Sequence, residues 1–137
     1  MKTSSKIKML ALAALIPAGA AAADLPPLSE NPRVRSEFLA GAVGDEIVDN
    51  CPRMSARMLV VISKLNALNN YARSLGYTSE QIREFRKSDA NKARLNAMRD
   101  EYLASNGVVP GDAESYCRLG RQEIEQGTLI GSLLRER

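Results

Sequence analysis

Two cysteines, Cys51 and Cys117, are the residues of this chain best suited to chemistry, and their spacing decides which chemistry. A redox-active pair normally stands as Cys-x-x-Cys, with one thiol activated by its surroundings. These two lie 66 residues apart, which favours a structural disulfide once the chain is in an oxidising compartment. Closing a loop of that length removes chain entropy worth roughly 4 kcal/mol, comparable to the stability of many small domains. Other reactive types are scarce. The chain has no His, the usual general base and metal ligand, and no Trp. With both thiols committed to a disulfide, a thiolate zinc site is disfavoured as well. Neither a Gly-rich phosphate loop nor a haem-attachment motif is present. Carboxylate pairs occur at Asp45-Glu46, at Asp100-Glu101 and at Glu123 with Glu125. Sequence neighbours on a helix point apart, so these pairs read as solvated faces. No catalytic, cofactor-binding or metal-binding residue is assigned, and a carboxylate-based enzyme is the weakest functional reading.

The first 23 residues supply the compartment that a disulfide requires. Lys2, Lys6 and Lys8 make a positive start, and Met9 to Ile16 is an unbroken apolar run. Pro17 and Gly19 break that run, and Ala21-Ala22-Ala23 forms an A-x-A cleavage pattern before Asp24. The run is much shorter than the about 20 apolar residues of a membrane-spanning helix. Residues 1–23 therefore read as a cleaved signal peptide, 24–31 as an extended lead-in, and 32–137 as a single helical domain. The expected location is the periplasm or the exterior, with no transmembrane anchor after cleavage. The 19 basic residues, less the three leader lysines, leave 16 against 16 acids, so the mature domain is formally neutral. That balance argues against nucleic acid as a partner.

The elements that must bring the cysteines together are helical. Asn31-Pro32 is a helix start, with Asn as cap and Pro in the first turn. Leu39, Val43, Ile47 and Cys51 then fall four apart on one face. Ala40, Gly41, Ala42 and Gly44 are small residues on the same helix, read as tight packing against a neighbour. Pro52 is expected to open a second helix, with a stripe of Met58, Val61, Leu65, Leu68, Ala72 and Leu75 that Gly76 ends. Thr78 and Gln81 form a capping box, with Tyr77 and Ile82 as its hydrophobic staple. A third helical stretch runs from Ser79 to Ser105, as one helix or as two with a restart at Ser88-Asp89, before Asn106-Gly107 closes it. Asp112 caps a last helix, whose Cys117, Gly120, Ile124, Gly127, Gly131 and Leu134 make a glycine-rich stripe. Strand signals are nearly absent, since Leu59 to Ile62 sits inside a helical stripe. The fold class is all-α: a small bundle of four or five helices with one disulfide.

Charge is unevenly spread. Residues 24–49 hold six acids against Arg33 and Arg35. Residues 83–99 hold six bases (Arg83, Arg86, Lys87, Lys92, Arg94, Arg99) against Glu84 and Asp89. Internal pairing of the two regions is the favoured reading. The alternative is a partner surface made of those six bases together with Arg57, which precedes the second helical stripe. Arg57 is expected either to cover the bundle edge with its stem or to pair with an acid of the first helix.

A set of short motifs recurs in order along the chain. They are Cys51-x-x-x-Ser55-Ala56-Arg57-Met58, Leu75-Gly76-Tyr77, Lys92-Ala93-Arg94, Tyr102-Leu103-Ala104 and Gly107-Val108. The end reads Cys117-x-x-Gly120-x-x-Glu123-Ile124, then Ile130-Gly131-x-Leu133-Leu134-Arg135. In these the chain resembles a family of small exported alphaproteobacterial proteins, the domain of unknown function numbered 5333. The resemblance implies a helical, disulfide-linked periplasmic domain without an assigned activity, and it associates such proteins with respiratory-enzyme complexes. The leading functional expectation is a non-enzymatic periplasmic binding or accessory protein with a protein partner. A stress chaperone or an immunity-type inhibitor is the alternative.

Overall fold

The computed structural model describes residues 25–137, so the leader and its cleavage site lie outside the described residues. Residues 25–27 have no regular secondary structure and Leu28–Glu30 forms a short 3-10 turn. Helix α1 is Pro32–Asn50, strand β1 Met54–Ala56, helix α2 Met58–Ser74 and helix α3 Ser79–Lys87. Helix α4 is Asp89–Ser105, helix α5 Ala113–Gln126, the one-turn helix α6 Leu129–Ser132 and strand β2 Leu134–Glu136. Five helices of nine residues or more carry the fold, as the apolar periodicity indicates.

Local signals set the helix boundaries. The Asn31 side chain accepts from the backbone N–H groups of Arg33 and Val34, at 3.0 and 3.1 Å. Thr78 and Gln81 form the complete capping box at the start of α3. Ser88 leaves the helical conformation (φ −61°, ψ 120°) and caps α4 through Asn91 N–H, so the third stretch is two helices. Gly76 adopts φ 102° after α2, where only glycine is comfortable.

Two apolar clusters hold these elements. The larger joins Ala40, Val43 and Ile47 of α1 to Leu103, Tyr116, Leu119, Ile130, Leu133 and Leu134, around the Cys51–Cys117 disulfide. Its Cα atoms are 5.1 Å apart, and both cysteines are buried. The smaller cluster gathers Leu28, Val34, Leu68, Ala72 and Tyr77, with Phe38 and Phe85 meeting edge to face at 5.2 Å. The lead-in is thus only partly extended: Leu28 is buried, and the Tyr77 hydroxyl donates to the Pro26 carbonyl.

Four sequence expectations are corrected. Pro52 does not open α2. Residues 54–56 form a strand paired antiparallel with β2, Met54 opposite Glu136 and Ala56 opposite Leu134. Three-residue strands are too short for alternation to declare itself in a sequence. The glycine-rich stripe after Cys117 is not one helix: Gly127 ends α5 in a left-handed conformation (φ 65°), and the chain folds back as α6. Of the two roles expected for Arg57, the pairing with an acid of α1 is absent; its guanidinium donates to the Ser132 carbonyl at 3.2 Å and its backbone N–H to the Leu133 carbonyl at 2.8 Å.

The fourth correction is Glu123, which is no solvated carboxylate. It is 2 % exposed, accepts from the Tyr102 and Thr128 hydroxyls, and has no ion-pair partner among the described residues. Thr128 also caps α6 through Gly131 N–H, so Glu123 fastens the chain reversal. Burial first, then the hydrogen bond to Glu123 and its charge, push the Tyr102 hydroxyl up to about 12. In the unfolded chain it titrates near 10. Between those values the unfolded chain releases a proton that the folded one keeps, so stability falls as pH rises. Alkaline unfolding followed by circular dichroism is expected to be steeper across that window in the native protein than in Tyr102→Phe.

Candidate functional site

Helix α1 has two working faces. Val43, Ile47 and Cys51 point into the larger cluster, while Gly41, Ala42 and Asp45 lie on a face that no helix covers. A Cβ on Gly41 would find nothing within 4 Å. The tight packing expected for the small residues holds only at Ala40, which is buried in the cluster, and at Gly44, where an added Cβ would lie 3.9 Å from Leu134. Above Gly41 and Ala42 lies an open groove of about 480 Å³. Val61, Leu65 and Leu68 of α2 form one wall, Leu95 and Arg99 of α4 the other, and Leu133 and Leu134 close one end.

The groove exists because α2 runs away from α1. Its C-terminal half is anchored by Leu68 and Ala72 in the smaller cluster, and its N-terminal half rests only through Val60 and Val61 against the larger one. The apolar stripe expected to be core is exposed at several of its positions: Met58 is 59 %, Leu65 46 % and Leu75 39 % accessible. Leu59 is 85 % and Ile62 49 % accessible, and they form an apolar ridge on the side of α2 turned away from the groove. Folded monomers seldom leave large apolar side chains grouped in this way unless something covers them.

Charge lines the groove unevenly. Four carboxylates (Glu37, Asp45, Glu46, Asp49) face two cations, Lys64 and Arg99. Lys64 stands 4.0 Å from Glu37, and Arg99 3.2 Å from Glu46. Asp45 and Asp49 have no ion-pair partner among the described residues. Burial in the groove first, then repulsion from Asp49 and Glu46, holds the Asp45 carboxyl above its ordinary range. The ionised form therefore costs stability at neutral pH, and that cost is lost as pH falls through the raised value. Asp45→Asn is expected to be more stable than the native protein at pH 7 and equal to it in acid, as measured by urea unfolding at both.

The basic residues named from the sequence do not form one surface. Arg99 belongs to the groove, and Arg57 stays with the C-terminal segment. Arg83 pairs with Glu80 at 2.5 Å within α3, and Lys92 is 4.0 Å from Asp89 within α4. Arg86, Lys92 and Arg94 line one shallow cleft with Arg35 of α1, over Phe38 and Phe85. Lys87 is exposed at the end of α3 and lines neither the groove nor this cleft. Internal pairing of acidic and basic regions is thus real but narrow, carried by Arg99 with Glu46. Arg35 was missed because it lies in the acidic stretch; only its helical distance of three from Phe38 hints at the cleft.

Among the described residues, no three His, Cys, Asp or Glu side chains group as a metal-binding set, and no helix is long and apolar enough to cross a membrane. Fold and groove together define a small disulfide-linked helical domain with an open apolar channel along its first helix. The chain belongs to a family of unknown function, DUF5333, which it matches over residues 26–135. No curated protein and no solved structure matches it.

Proposed function

We propose that this is an exported, non-enzymatic binding or accessory protein of the periplasm, which docks an apolar segment of a partner protein in the α1 groove. The observation that carries this reading is the uncovered floor at Gly41, bordered by Val61 and the half-exposed Leu65 of α2. A groove of this size, apolar with a few placed charges, has the build of a ligand site. The family resemblance makes a respiratory complex the first class of partner to try. The test is crosslinking in the periplasm from a photoreactive residue at Ala42, read by mass spectrometry. The same adduct is expected from Ala42 and not from Glu125 on the opposite helix, and Gly41→Leu is expected to abolish it. Adducts that survive Gly41→Leu would refute groove docking.

The exposed ridge also supports a second reading, a holding chaperone for unfolded chains. Suppression of the aggregation of a reduced test protein, lost in Leu59→Asp/Ile62→Asp, would favour it over a single defined partner.

A further inference from the structure

Resting on the docking reading, we propose that the groove takes an amphipathic helix whose apolar face carries basic side chains at one end. Three observations converge on that occupant. The first is shape: the α1 residues that line the groove run from Glu37 to Asp49, about 18 Å of helix. An elongated open channel receives a row of side chains rather than enclosing a compact molecule. The second is the floor. Gly41 and Ala42 have almost no side chain, so a helix axis can come within about 8–10 Å of α1 and seat its apolar residues there.

The third is charge. Glu37 and Glu46 already have their cations in Lys64 and Arg99. Asp45 and Asp49 do not, and they stand one helical turn apart on the same edge of the channel. Covering the groove with a neutral helix would desolvate two carboxylates with no compensation, which is costly. A Lys or Arg at that end of the incoming helix turns the same burial into a charge-assisted hydrogen bond. An acidic helix is rejected twice, by repulsion and by desolvation.

The test uses the oxidised protein and synthetic helices of about four turns, built from Leu and Ala, that bear either two Lys or two Glu one turn apart near one end. Binding is read by fluorescence anisotropy at low salt. The Lys peptide is expected to bind at least about tenfold more tightly than the Glu peptide, with the preference shrinking as salt rises. Asp45→Asn/Asp49→Asn should erase the preference while keeping apolar binding, and Gly41→Leu should remove binding altogether. Equal binding of the two peptides, still lost in Gly41→Leu, would overturn the basic-helix inference and leave groove docking intact. Binding that Gly41→Leu does not touch, or no binding of either peptide, would overturn both. Sedimentation equilibrium supplies the remaining outcome: a dimer that Gly41→Leu and Leu65→Asp both disperse would overturn the inference by giving the groove to a second copy of the chain.

Discussion

Replacing Cys51 and Cys117 together by alanine is expected to lower the free energy of unfolding by about 4 kcal/mol. The loop they close spans 66 residues and holds β1, α2, α3 and α4, so its release gives the unfolded chain most of its lost freedom back. In the folded chain the bond sits where the end of α1 meets α5, with Cys51 fully buried and Cys117 2 % exposed. Around it are Val43, Ile47, Met54 and Leu119, which contribute burial whether or not the sulfurs are joined. The loss therefore comes chiefly from the unfolded state and appears as a lower denaturant midpoint with little change in helical signal before the transition. A loss smaller than about 1 kcal/mol would mean that the reduced chain is held together by its clusters alone.

The second large effect is expected at Gly131. This glycine of α6 lies against the end of α5, where a Cβ would overlap the Glu123 carbonyl and come within 2.7 Å of the Ile124 nitrogen. The obstacle is backbone, which cannot step aside as a flexible side chain can. Gly131→Ala is expected to cost about 3 kcal/mol or more, because α6 must lift away and carry Leu133, Leu134 and β2 with it. Gly41→Ala is the control within the same chain. It meets open space on the interior of α1, so it should stabilise by about 0.5–1 kcal/mol through helix propensity. Thermal unfolding of the two variants side by side checks both signs. Equal shifts would show that α6 is not wedged against α5.

The contrast between these glycines shows what a sequence displays and what it conceals. Asn31-Pro32, Thr78 with Gln81, Gly76 and Ser88-Asp89 act within a few residues of themselves, and each sets a boundary where its chemistry places it. The cysteine pair is legible because the leader and the even count imply it, and the disulfide joins α1 to α5. Long-range effects are not legible in this way. The apolar stripe of α2 has helical spacing from Met58 to Leu75, yet nothing in that spacing tells which turns meet a neighbour, and only Leu68 and Ala72 are buried. Small residues on α1 allow close approach without requiring it, so the groove over Gly41 becomes visible only in three dimensions. Glu123 did leave a trace, since it lies six residues beyond Cys117 and three beyond Gly120, on the buried side of α5. The pairing of β1 with β2 joins segments 80 residues apart through three residues each, too little for any pattern.

The openness of the α1 floor is measured most directly by thiol labelling of Gly41→Cys in the protein with its native disulfide intact. A small maleimide is expected to react there within about tenfold of its rate at Ser63→Cys on the exposed side of α2. Protection of about a hundredfold or more at position 41, with Ser63→Cys labelled freely, would show that a helix already covers that face and that there is no groove for a partner to enter.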